Sequence, residues 1–347
     1  MYKSITTTLL LALGFAQMAP AAVNDTITAV AGIRVGHHTL SERPTGCTVI
    51  LAEGGAVAGV AQRGAAPGTR ETDRLSAANA SARVNAIVLS GGSAYGLDSA
   101  TGAVRWLDEH GAAARDSGRR GPPIVPAAVL IDLWVGGKPH IRPGAECGYL
   151  AAASASRAAV AQGSVGAGAG ATVGKLLGRD RATKGGIGSA SVVAPNGLRV
   201  GAIVAVNALG DVIDPETGAV VAGARAADGS FADARRLLRT GGPTILSSLS
   251  ADNTTIAVVA TNARLTGAEA SRVAEMADAG LARAIAPIHT IADGDTVFAL
   301  ANGRWHGRAD VATIGALAAD AVASAIVRAV KQATTAGGVP AARDLPQ

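Results

Sequence analysis

The sequence predicts an α/β (α+β) protein in which a mixed or antiparallel sheet carries helices on its outer faces. Three observations lead there. Strand-length, β-branched runs alternate along the chain with longer stretches of helical spacing. Some successive strands are separated by turns too short to hold a crossover helix, as at Glu53-Gly54-Gly55, which favours antiparallel hairpins over an all-parallel layout. The two longest helical stretches fall close together near the C-terminus.

Residues 1–21 stand apart from this pattern. Lys3 supplies a short positive start, an apolar run follows, and Ala19-Pro20-Ala21 forms a small-residue exit, the layout of a secretory signal peptide. The apolar run is shorter than the roughly 20 residues a membrane anchor needs, and Asn24 and Asp25 follow it at once. Export to the periplasm or beyond is therefore expected, with residues 22–347 as a single domain. Within it, strands are expected at 47–51, 56–61, 86–89, 129–133, 200–206, 255–260 and 296–300, bounded by Gly, Asn or Asp. Helices are expected at 99–110, 149–162, 268–285 and 311–335, rich in Ala, Leu and Arg. Residues 214–243 are polar and read as a surface excursion.

Composition narrows the function classes. The chain has 347 residues with 48% apolar content, enough for a sizeable core, so a disordered polymer is excluded. Lys+Arg 31 against Asp+Glu 26 is a mild excess spread along the chain, and 3% aromatics cannot build a base-stacking platform, which argues against nucleic acid as a partner. Apolar runs after the N-terminus stop within strand length, so no membrane partner is expected. Cys47 and Cys147 are a potential disulfide in an oxidising compartment, and the spacing of Cys and His gives no metal site.

Glycine-rich stretches offer weak motifs. Gly166, Gly168 and Ala171 satisfy a loose dinucleotide pattern, but the fingerprint needs a strand before it and a helix after it. Gly174-Lys175 is followed by Leu176, not by the Ser or Thr of a phosphate-binding loop. Ser93 lacks the spacing of a nucleophile elbow and reads as a helix N-cap. No cofactor is expected.

Chemistry points to Asp252-Asn253-Thr254-Thr255, a turn that opens a strand. A Thr hydroxyl is a poor nucleophile unless a base adjoins it, and cleavage between Asn253 and Thr254 would supply one, the α-amine of Thr254 itself. Here the chain resembles the DmpA-type P1 peptidases, self-processing N-terminal-nucleophile hydrolases that include L-aminopeptidase/D-esterases and β-aminopeptidases. The resemblance runs through residues 32–37 (GIRVGH), 89–98 (LSGGSAYGLD), 123–128 (PIVPAA), 184–188 (KGGIG), 206–211 (VNALGD), 253–255 (NTT) and 293–298 (DGDTVF).

The resemblance implies a four-layer αββα sandwich and autocatalytic cleavage at Asn253-Thr254 into an α chain, 22–253, and a β chain, 254–347. It implies Thr254 as nucleophile and Asn207 as an oxyanion donor. Asp293 and Asp295 fall where the β-aminopeptidases carry Ser and Glu, a departure that puts two carboxylates near the nucleophile. Glu146 and Tyr149 match substrate-facing positions. Also implied are a small peptide or amide substrate and a homotetramer of α/β units. Two other classes remain open at this point: an amidase narrow for a pantetheine-like metabolite, and an uncut periplasmic binding protein without turnover.

Overall fold

The computed structural model describes residues 24–76, 83–111, 115–116, 119–243 and 253–345; the expected signal peptide lies outside them. Nine strands form one mixed sheet: β1 (Ile33–Thr39), β2 (Gly46–Gln62), β3 (Thr69–Arg70), β4 (Arg83–Ser90), β5 (Ala127–Val129), β6 (Gly186–Val193), β7 (Arg199–Asn207), β8 (Thr254–Thr261) and β9 (Thr296–Ala301). They run in the order β6-β7-β8-β9-β2-β4-β5-β3, with β1 also paired to β2. The pairs β8–β9 and β4–β5 are parallel and the rest antiparallel.

The long strand β2 turns this sheet into two layers. Its first part pairs with β1 and β4, and its second part pairs with β9. Between Leu51 and Ala56 the register against β4 shifts, and Gly54 and Gly55 sit there at φ 75° and 77°. Only glycine enters that region without strain, so the segment forms a bulge that bends the strand. The hairpin expected at Glu53-Gly54-Gly55 is thus replaced by one bent strand of 17 residues.

Alternation along the strands then defines three apolar layers. On β8, Ala257 and Val259 face the helices α4 (Gly267–Ala284) and α5 (Val311–Gln332), whereas Ile256, Val258 and Ala260 face inward. The inward residues meet Ile50, Ile87 and Leu89 from the other half of the sheet. The opposite faces of β2 and β4, with Val49, Leu51, Ala86 and Val88, pack on α1 (Ser99–Glu109) and α2 (Ala145–Ala153). Helix, sheet, sheet, helix is the four-layer arrangement. Capping fixes where the long helices begin: Thr266 and Glu269 form a reciprocal capping box at α4, and Asp310 accepts from Ala312 and Thr313 N–H at α5. By length and composition α5 is apolar enough to cross a bilayer, but its Ile314, Ala318, Val322 and Ile326 lie in the core.

Other departures from the expected elements have local causes. The strand expected at 129–133 stops at Val129, because buried Asp132 turns inward to Arg43 at 3.0 Å, Thr45 at 2.6 Å and Gly92 N–H at 2.9 Å. The helix expected at 149–162 is α2, which ends at Ala153 because Ser156 exchanges two backbone hydrogen bonds with Val35 of β1. Ser93 is no N-cap; it starts a 3₁₀ turn at φ 58°. Within 214–243 lie a short strand, Val220–Ala222, and the one-turn helix α3 (Ala234–Arg239), both tethered to Asp211 through Ala224 and Ala234 N–H at 2.8 and 2.7 Å. Cys47 of β2 and Cys147 of α2 are joined in a disulfide, Cα–Cα 6.1 Å.

Candidate active site

Strand register assembles the site. In the antiparallel pair β7–β8, the last residue of β7, Asn207, lies opposite the first of β8, Thr254. In the parallel pair β8–β9, Ile256 lies opposite Thr296, and the same alignment carried one strand-end back sets Asn253 beside Asp293. Three neighbouring strands therefore deliver Asn207, Thr254 and the Asp293-Gly294-Asp295 segment to one edge of the sheet. Asn207, Asn253, Thr254, Asp293 and Asp295 are all buried.

Around Thr254 the contacts are short. Its Oγ1 donates to the Asn253 carbonyl, the bond where cleavage is expected. That same carbonyl accepts the Gly294 N–H at 3.1 Å. Gly294 fits only because it has no side chain: a Cβ there would meet Ala66 O at 2.7 Å and Thr254 Oγ1 at 2.9 Å. Asn207 is fixed at both ends of its amide. Oδ1 accepts Thr172 N–H at 2.9 Å and Lys175 Nζ at 3.2 Å, and Nδ2 donates to Ile131 O at 3.1 Å.

The two aspartates differ. Asp295 accepts Thr255 N–H at 2.7 Å on Oδ1, and on Oδ2 it accepts the His289 N–H at 3.2 Å and meets His289 Nδ1 at 3.0 Å. Asp293 Oδ2 accepts Thr290 N–H at 2.6 Å, while its Oδ1 is buried with no partner among the described residues. Burial, and then the charge of Asp295, push the Asp293 carboxyl up to about 6, against the opposing effects of Thr290 and Lys175.

Sequence reasoning missed Lys175, Lys184 and His289. Lys175 is fully buried beside Asn207, in a position read earlier only as a failed phosphate motif. Lys184 donates to the carbonyls of Gly168, Ala171 and Gly185 at 2.8–3.2 Å, and burial lowers its ammonium pKa to about 7. It holds the glycine-rich stretch whose Thr172 orients Asn207, so that stretch serves close packing. The usable signal was two lysines inside glycine-rich, otherwise apolar text.

Glu146 and Tyr149 lie elsewhere. Both sit on α2 and reach across to α1: Glu146 pairs with Arg105 at 2.9 Å, and Tyr149 donates to Glu109 at 2.7 Å. The structure does not bring these two residues together with Thr254: the α1–α2 layer packs on the far face of the β2–β4 half. The described residues contain no His, Cys, Asp and Glu cluster able to hold a metal ion.

Residues 25–343 match the model of peptidase family S58. The chain is 43% identical over 348 residues to an uncharacterized aminopeptidase of Mycobacterium leprae, covering 92% of this chain and 94% of that one. It is 30% identical over 315 residues to the 6-aminohexanoate-oligomer endohydrolase of Kocuria sp., covering 86% and 84%. Its fold is similar to that of the L-aminopeptidase D-Ala-esterase/amidase from Ochrobactrum anthropi, described as a variant of the Ntn hydrolase fold, with a TM-score of 0.67, 22% identity and coverage of 93% and 90%.

Proposed function

The chain belongs to peptidase family S58, and from that premise we propose that it is a self-processing aminopeptidase that cleaves small peptides and related short amides through Thr254. One observation carries the reading: the register that sets Asn207, Thr254 and the Asp293-Gly294-Asp295 segment side by side at one sheet edge.

Processing comes first. Thr254 Oγ attacks the Asn253 carbonyl carbon, and the Gly294 N–H already on that oxygen stabilises the developing negative charge. The C–N bond breaks as the amide nitrogen gains a proton, leaving Asn253 as an ester on Oγ. Water hydrolyses the ester to the Asn253 carboxylate, the free hydroxyl and the new α-amine. In turnover that amine, with Asp293 beside it, takes the Oγ proton as Thr254 attacks a substrate amide. The leaving amine departs with a proton, and water releases the acyl group. The Asn207 amide and the Gly294 N–H stabilise the oxyanion. The names of the relatives, an aminopeptidase and an oligomer endohydrolase, support an amide substrate.

We also propose export, supported by the A-P-A exit at residues 19–21 and by the Cys47–Cys147 disulfide, which suits an oxidising compartment. Intact-mass spectrometry of the protein expressed with its leader tests both parts. The wild type should give two fragments, starting at residues 22 and 254, and Thr254→Ala a single chain. One uncut wild-type chain that still folds would remove the proposed base and sink the reading.

A further inference from the structure

His289 touches neither Thr254 nor Asn207, yet it grips the carboxylate beneath them. It lies in the segment between α4 and β9, in the left-handed region at φ 56°, where a side chain is strained. That conformation aims its backbone N–H and its ring Nδ1 at the same oxygen, Asp295 Oδ2, at 3.2 and 3.0 Å. On the ring's other side, Nε2 stands 3.1 Å from Asp278 Oδ2 of α4. Asp295 Oδ1 is taken by Thr255 N–H at 2.7 Å, so both oxygens of the carboxylate are bound, one by His289 and the other by the residue next to the nucleophile.

Resting on the reading of Thr254 as nucleophile, we infer that His289 is a positioning residue: as an imidazolium between Asp278 and Asp295 it holds the Asp295 carboxylate in place against Thr255 and sets a positive charge behind the pair, leaving Asp293, with its Oδ1 unpartnered among the described residues, to exchange the proton. The charged groups facing the ring are Asp278 from α4 and Asp295, the residue just before β9; Asp293 and Lys175 are the next charges beyond Asp295. Burial alone would lower the imidazole pKa, but Asp278 and Asp295 outweigh it and raise it to about 10. The division of labour follows from the partners. Asp295 has both oxygens bound, whereas Asp293 keeps Oδ1 unpartnered among the described residues.

The test separates this claim from the nucleophile's. His289→Asn suits the left-handed backbone and places an amide nitrogen near the Nδ1 position, so the bond to Asp295 survives without the charge. Across the pH range, kcat/KM for an amino-acid p-nitroanilide should show an acid limb displaced upward by about one unit. With the limb moving up from about 6, that is an approximately fivefold loss at pH 6, close to tenfold below about pH 5, with little change at pH 9. An unmoved limb overturns the inference.

A second readout does not depend on turnover. Histidine-selective ¹⁵N NMR of the full Thr254→Ala chain, with the His289 signal assigned from its loss in His289→Asn or its displacement in Asp278→Asn, should show an imidazolium still protonated at pH 8.5. A neutral ring there also overturns it, and this arm decides if His289→Asn does not fold. Uncut wild type would instead refute the nucleophile and leave the NMR result standing.

Discussion

At the residue scale, the two aspartates were legible as a pair whose mutual repulsion raises one pKa, but not which of the two it is. The Asp-Gly-Asp text showed two carboxylates, yet their unequal surroundings come from the fold: Thr255 and His289 take both oxygens of Asp295, whereas Thr290 takes only one of Asp293, in geometry that no spacing rule reports. Lys175 was invisible for a similar reason, since only the fold buries it against Asn207. Because the folded Asp293 titrates near 6, above the ordinary carboxyl range, its ionised form is lost as pH falls through about 6. Activity that needs that form should decline over the same window in a pH–rate profile. The sign for stability is opposite. A raised carboxyl pKa contributes stability below the unfolded value of about 3.9 and loses it as pH rises through 6. Asp293→Asn should therefore raise Tm at pH 8 while lowering kcat/KM by about 100-fold or more, measured by thermal unfolding and steady-state kinetics on one preparation.

At the element scale, strands buried on both faces read easily, because β7, β8 and β9 are continuous apolar runs. What failed was the reading of β2, where two glycines looked like a hairpin turn and are a bulge. Local text cannot tell the two apart, since both need positive φ; the pairing partner decides. The placement of Glu146 and Tyr149 was illegible for a related reason, as the side of α2 they occupy depends on the close packing of α1 against it. The same small-residue packing brings α4 onto β2: a Cβ on Gly59 would stand 2.1 Å from Ser271 N and 2.4 Å from Ala270 C. Backbone cannot yield as a side-chain tip does. Gly59→Ala should cost about 1–3 kcal/mol or more, read as a lower urea midpoint with an unchanged slope.

At the scale of the whole molecule, the layers were expected from the resemblance, and the structure gives them a physical cause in the bend of β2. The disulfide ties that strand to the outer α2 layer across 100 residues of sequence. On chain-entropy grounds, replacing both cysteines by Ser should cost about 4 kcal/mol and lower Tm by about 5–10 °C in a scanning-calorimetry comparison.

The order of the strands has one more consequence. A cut before Thr254 would put β8 and β9 in one fragment and leave β7 and β2, their neighbours on either side, in the other. The fragments would then be interleaved, each completing the other's sheet, and the disulfide, with both cysteines before the cut, would not join them. Folding would be encoded in a covalent chain that the mature molecule no longer possesses. Once denatured, the processed protein should regain structure as a second-order association, its yield rising with fragment concentration, whereas uncut Thr254→Ala should refold at a rate independent of dilution.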